Sequence, residues 1–187
     1  METTALARAL IGWLLVRESP HGLTAGRIVE TEAYPPGDPA GHHFVGRTAR
    51  NASLFLPAHR AYVYRIYGTS YCFNVSSEED GIGGGVLVRS LEPLTGIALM
   101  QKRRGIDDMT NLCRGPGRLC CALDIDRSFD GATLFGGCEL QLVHSDRPAG
   151  KIGTSRRIGV TRAATRLLRY YERGNVYVSG PRSLSPA

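Results

Sequence analysis

In the run Arg27-Ile28-Val29-Glu30-Thr31-Glu32-Ala33-Tyr34, two glutamates and a tyrosine occupy every second position. The run lacks glycine and proline and holds β-branched residues with period two, which predicts a strand. Alternation puts Ile28, Glu30, Glu32 and Tyr34 on one face and Val29, Thr31 and Ala33 on the other. Two carboxylates and a phenol on one face make poor core and suit the wall of a site that moves protons. The same pattern fits an amphipathic surface strand with solvated glutamates. Pro35-Pro36-Gly37-Asp38-Pro39 ends the strand, leaving Glu32 and Tyr34 at its mouth with His42 and His43 shortly after.

Other residues could join this wall. Tyr62-Val63-Tyr64-Arg65-Ile66 and Tyr71-Cys72-Phe73-Asn74-Val75 read as a hairpin turning at Gly68-Thr69-Ser70, with Tyr62, Tyr64 and Ile66 on one face. Tyr67 stands beside the turn, where burial is hard to arrange. An aromatic there with Arg65 next to it suits wedging between stacked bases, or it lies back over its own hairpin. Gly85 to Leu91 is a further strand with Leu87, Arg89 and Leu91 on one face. An arginine between two leucines needs an anionic partner, because a lone buried charge is costly, and Glu30 and Glu32 are the candidates. His42 and His43 are adjacent and point apart on an extended chain, an awkward pair for one metal ion.

The elements that would position these residues alternate helix and strand irregularly. Thr3 or Thr4 can cap a first helix that Gly12 ends, and Trp13 to Val16 pairs with the opening strand across His21-Gly22. Pro35 to Pro57 is a long loop, uncommon unless functional, and its Arg47, Arg50 and Asn51 are candidate phosphate contacts or plain solvated charges. Asp80 to Gly85 reads as a flexible loop without dinucleotide-binding spacing. Pro93 to Arg104 predicts a helix ending at Gly105, and the glycines of Arg114-Gly115-Pro116-Gly117-Arg118 precede another through Leu123. Glu139 to Val143, Ile158 to Val160 and Val176 to Ser179 predict short strands. Arg162 to Arg173 fits either a helix with an arginine stripe or an extended segment.

The 187 residues suit one domain, and the net charge of +6, almost all of it arginine, favours an anionic partner such as nucleic acid. The five cysteines have no CxxC spacing and suit buried thiols in a reducing compartment rather than structural zinc. The first apolar run is too short and too early interrupted for a signal peptide or membrane span, so a cytoplasmic protein is expected.

Five motifs then resemble, in order, the alkyladenine (3-methyladenine) DNA glycosylases: Arg27 to Tyr34, Tyr62 to Gly68, Cys72-Phe73-Asn74, Val86 to Pro93, and Gly115 to Cys120. The resemblance runs from the first helix to Ser179. It implies a single mixed α+β domain with a curved antiparallel sheet, flanking helices and a protruding β-hairpin. It implies excision of alkylated or deaminated purines from double-stranded DNA without metal or covalent intermediate; a monomer that needs no cofactor is expected. By motif, Glu32 matches the residue that activates water and Arg89 the one beside it. A main-chain carbonyl near Ile158 would also contact that water. Tyr34, His42 and Tyr64 match the base-stacking pocket, Asn74 the residue that screens purine substituents, and Tyr67 the wedge. Arg47, Arg50 and Arg65 remain the candidate DNA contacts. The loop before the histidines is one residue shorter than in the family, which points to His42 over His43. The resemblance also favours an extended segment at Arg169-Tyr170-Tyr171.

Overall fold

The computed structural model describes residues 2–184. The sheet is antiparallel throughout and is built from β1 (Leu14–Ser19), β2 (Gly22–Tyr34), β3 (Ala61–Ile66), β4 (Ser70–Ser76), β5 (Gly85–Thr95), β6 (Leu140–Val143), β7 (Ile152–Ser155) and β8 (Arg169–Glu172). Its order is β3-β4-β5-β2-β1-β6, and β2 is the axis. One edge of β2 pairs with β5 along nearly its whole length. The other is shared, β1 taking residues 22–27 and β8 taking 30–32, with β7 beyond β8. The result is the curled mixed α+β architecture that the motifs imply.

Each strand near the axis sends alternate side chains to two environments. Thr31 and Ala33 of β2, Ala61 and Val63 of β3, Phe73 and Val75 of β4, and Val86 and Val88 of β5 are fully buried toward the helices. There they meet Leu6 and Leu10 from α1 (Thr3–Ala9), Met100 from α2 (Ile97–Arg104), Leu112 from α3 (Met109–Leu112) and Leu119 and Leu123 from α4 (Pro116–Leu123). Burying such a side chain contributes about 1.5–3 kcal/mol, so this face anchors the sheet. The opposite face carries the polar and aromatic residues singled out above.

Strict alternation fails at three register shifts between β2 and β5, and two of them correct the expected faces. Ile28 pairs with Leu91 and Glu30 with Ser90, so Val29 is an extra residue on β2. Thr31 then pairs with Val88, which makes Arg89 the extra residue on β5. Ile28 and Leu91 therefore belong to the helix-covered core, while Glu30, Leu87 and Arg89 do not. Val29 instead packs with Tyr171 and Val178.

Several predicted elements also differ. Neither Thr3 nor Thr4 caps α1: Glu2 holds the cap position, and the Thr3 hydroxyl bonds Ser77 (2.8 Å) and Glu78 (2.5 Å). The strand β5 continues through Pro93, which meets Gly26 at a register shift, and α2 starts only after Gly96 in a left-handed turn (φ 74°). Residues 158–160 and 176–179 are irregular, the strand falling instead at β7. Arg169–Glu172 is extended, and there is no exposed arginine stripe, because Arg169 is fully buried. The glycine loop 80–85 packs rather than flexes: a Cβ at Gly83 would run into His43 and Phe55, and the Gly81 N–H donates to the Phe55 carbonyl (2.8 Å).

Candidate active site

The concave face of β2–β5 forms the back of a cavity of about 340 Å³, within the roughly 300–1,000 Å³ range of small-ligand clefts. Tyr34, His42, Tyr64, Asn74 and Arg89 all line it, as do Cys72 and Leu87. Glu32 is fully buried directly behind this lining. Its Oε1 accepts from the Ile158 N–H (2.7 Å) and pairs with Arg89 Nη1 (3.2 Å), and its Oε2 accepts from the Tyr34 hydroxyl (2.9 Å). All three partners line the cavity. A carboxylate has about four acceptor positions, and these three partners leave one of them unfilled.

The neighbouring acid is used differently. Glu30 Oε1 takes Arg169 Nε (2.6 Å), Arg89 Nε (3.0 Å) and the Ser179 hydroxyl (3.0 Å), while its Oε2 takes the Ser179 N–H (2.7 Å). Burial alone would raise its pKa, but Arg89 and Arg169 outweigh that and hold it below the usual carboxylate value. Glu30 is saturated and orients Arg89, whose Nη1 reaches Glu32 while its Nη2 donates to the Ser179 hydroxyl (3.5 Å).

The aromatic wall is neutral. Burial, with the Glu32 charge beside it, raises the Tyr34 pKa, so it remains a phenol and donates to Glu32. Burial raises Tyr64 as well and pushes Tyr62 up to about 12. The Tyr62 and Tyr64 rings stack at 5.3 Å, and His42 meets Tyr64 edge-on at 4.5 Å. His42 Nδ1 is hydrogen-bonded to the Tyr62 hydroxyl (2.9 Å), and burial followed by the Arg50 charge lowers its pKa. His43 also lines the cavity, with its Nε2 committed to the Pro35 carbonyl (2.9 Å). Among the described residues, no three His, Cys, Asp or Glu side chains are grouped to hold a metal ion. Asn74 donates its amide to the Tyr62 carbonyl (3.1 Å), which fixes the orientation of its side chain at the cavity wall.

Tyr67 projects from the β3–β4 tip with 95% of its surface exposed. Tyr67 (φ 47°) and Gly68 (φ 75°) are both left-handed, the backbone of a tight hairpin turn. The ring therefore stands away from its own hairpin. Arg65 is exposed on β3, and Arg47 and Arg50 are exposed on the loop after β2. Of these three, Arg50 reaches a second cavity, described below, and none lines the first.

Two features carried no local signal in the sequence. Arg157 and Asp38 form a buried bidentate pair (2.7 and 3.1 Å), and Arg157 also donates to the Ala33 carbonyl (3.0 Å). Its guanidinium lies 4.5 Å over the Tyr34 ring. Arg157 therefore backs one cavity wall and anchors the loop that delivers the Ile158 N–H to Glu32. The main-chain contact that this segment makes with Glu32 is the Ile158 N–H.

A family model described as methylpurine-DNA glycosylase matches residues 1–176. The chain belongs to the methylpurine-DNA glycosylase family. It is accordingly a DNA glycosylase, a hydrolase of N-glycosyl bonds. Among similar proteins, one from Mesorhizobium japonicum, provisionally named 3-methyladenine DNA glycosylase, is 57% identical over 98% of this chain and 88% of its own length. Proteins of the same provisional name from Paraburkholderia phytofirmans and Methanoculleus marisnigri are 45% and 47% identical, over 98% and 95% of this chain and 86% and 94% of theirs. No helix of the described residues in this glycosylase is long and apolar enough to cross a membrane.

Proposed function

We propose that this glycosylase removes alkylated and deaminated purines from double-stranded DNA, drawing the damaged nucleotide out of the helix and into the cavity above Glu32. The observation that carries this reading is the Glu32 carboxylate, fixed by Tyr34, Arg89 and the Ile158 N–H at the back of a base-sized cleft. A purine alkylated at ring nitrogen N3 or N7 is already cationic, so its bond to the sugar is weak before the protein acts. As the C1′–N bond breaks, its electron pair leaves with the base, which departs neutral, and the sugar becomes an oxocarbenium ion. Water adds to C1′ while Glu32 accepts its proton, in the manner of glycoside hydrolysis.

Stacking on the aromatic wall contributes about 1–3 kcal/mol per base contact, and electron-rich tyrosine faces add to this for a cationic base. Asn74 at the wall would screen purine edges. Tyr67 fills the gap left by the extruded nucleotide, with Arg47, Arg50 and Arg65 on the phosphates. We infer that the enzyme works as a monomer, in the cytoplasm or on the nucleoid. Incubation with methylated duplex should release free 3-methyladenine and leave abasic sites, equally well in the presence of chelator. Lesion binding without release would reduce the protein to a damage-recognition module. Tyr67→Ala should weaken binding to lesion-containing duplex by about tenfold more than to undamaged duplex. Equal losses, read by anisotropy, would remove the wedge.

A further inference from the structure

A second cavity of about 440 Å³ adjoins the first, and the hydrogen-bonded pair His42–Tyr62 lines both, so it stands between them. Gly159 and Val160 also belong to both linings. No carboxylate lines this second cavity. Its rim carries Arg50 and Arg162, both exposed and neither with an ion-pair partner among the described residues. Beside these cations stand two apolar side chains facing solvent, Phe44 (49% exposed) and Val45 (75% exposed).

These apolar residues are not on a slack loop. They belong to a 3₁₀ turn, His42–Val45, whose two ends are tied together by buried Asn51. The Asn51 amide donates to the carbonyls of His42 (2.8 Å) and Gly46 (2.9 Å) and accepts from the Thr48 N–H (2.6 Å) and hydroxyl (3.0 Å). An exposed phenyl ring held rigidly beside unpaired guanidinium groups is costly in water and gains only when an amphipathic anion covers it. A nucleotide has that composition: a flat apolar base joined to a phosphate.

We infer that the second cavity is a subsite for the nucleotide adjoining the extruded one, with Phe44 and Val45 against its base and Arg50 and Arg162 on its phosphate. The inference rests on the reading of the first cavity as the site of the damaged base. Continuity through the His42–Tyr62 wall is what commits the occupant to the same strand. Occupying both cavities makes the enzyme sensitive to what lies on one side of the lesion and indifferent to the other side.

The test uses the full chain and duplexes carrying one stable 3-methyladenine analogue, in which the nucleotide 5′ or 3′ of the lesion is intact or replaced by a base-less spacer. Loss of the base on the subsite side should weaken binding about tenfold relative to loss on the other side. Phe44→Ala should abolish that difference, and Arg162→Ala should lower the salt slope of binding by about one without altering it. Equal effects of the two spacers, or a side difference that survives Phe44→Ala, would overturn the subsite and leave a solvated groove. Base release from methylated duplex is read separately: its absence in wild type would overturn the first-cavity reading, whatever the spacers do.

Discussion

Two glutamates two residues apart serve opposite ends because of how many donors each meets. Glu30 is fully committed to Arg89, Arg169 and Ser179. Glu32 meets three donors, all from residues that line the cavity, and keeps one acceptor position unfilled. His42 adds a pH dependence. Its lowered pKa keeps the imidazole neutral at pH 7, below its usual 6.5, so it does not repel a cationic base. As pH falls through that lowered value the ring gains a charge. Binding of a cationic 3-methyladenine analogue should then weaken more than binding of a neutral lesion, and His42→Gln should remove the difference. Parallel pH profiles for the two lesions in wild type would contradict this. At this scale alternation placed Glu32 and Tyr34 on one face of their strand and Tyr62 and Tyr64 on one face of theirs, whereas Asn74 was reached only through the family resemblance. The role of Arg169 was not readable: it looks like one of several solvated arginines but is paired with Glu30 across 139 positions.

Elements place these residues through two departures from regularity. The bulges at Val29 and Arg89 turn Glu30 and Arg89 off the face that simple alternation had them share with Ile28 and Leu91. A bulge depends on both strands of a pair, so one strand's pattern does not reveal it. The second departure is the irregular segment 156–160, where a short strand was expected. Its backbone N–H at Ile158 is free to serve Glu32 because no strand partner takes it. Arg157 holds that segment through its planar fork on Asp38, so Arg157→Lys keeps the charge but loses the bidentate grip. Single-turnover excision should fall on the order of tenfold, with undamaged-DNA affinity nearly unchanged. Asp38→Asn, which strands the buried Arg157, should lower stability by about 3–5 kcal/mol in denaturant melts. Unchanged excision by Arg157→Lys would show that the segment is held by other contacts.

For the molecule as a whole, one curled sheet separates an apolar face under helices from a chemical face open to a long polymer. The strands and helices adjoining the five motifs were legible from their periodicity and stop signals, whereas β7 and the ends of β5 and α2 were set by pairing partners remote in sequence. The far end of the axis is locked by Arg27, which pairs with Glu172 at 2.7 and 3.0 Å. Burial alone would raise the Glu172 pKa, but Arg27, the Gly150 N–H and Asn175 hold it down, from 4.5 to about 2. A depressed carboxyl stabilises the fold above the unfolded value, and that contribution is lost as pH falls from about 4.5 toward about 2. Glu172→Gln should therefore flatten the acid limb of the melting-temperature profile in that window, and an unchanged limb would remove this ion pair from the acid response.

The central claim concerns one carboxylate, and Glu32→Gln tests it most directly. The amide fits the same space, its oxygen toward Arg89 and the Ile158 N–H and its NH₂ toward the Tyr34 oxygen. Binding to lesion-containing duplex and single-turnover release of 3-methyladenine should be measured on the same preparation. The expected result is affinity close to wild type with excision reduced about 10²–10⁴-fold. Excision at the wild-type rate would mean that Glu32 does not activate the attacking water.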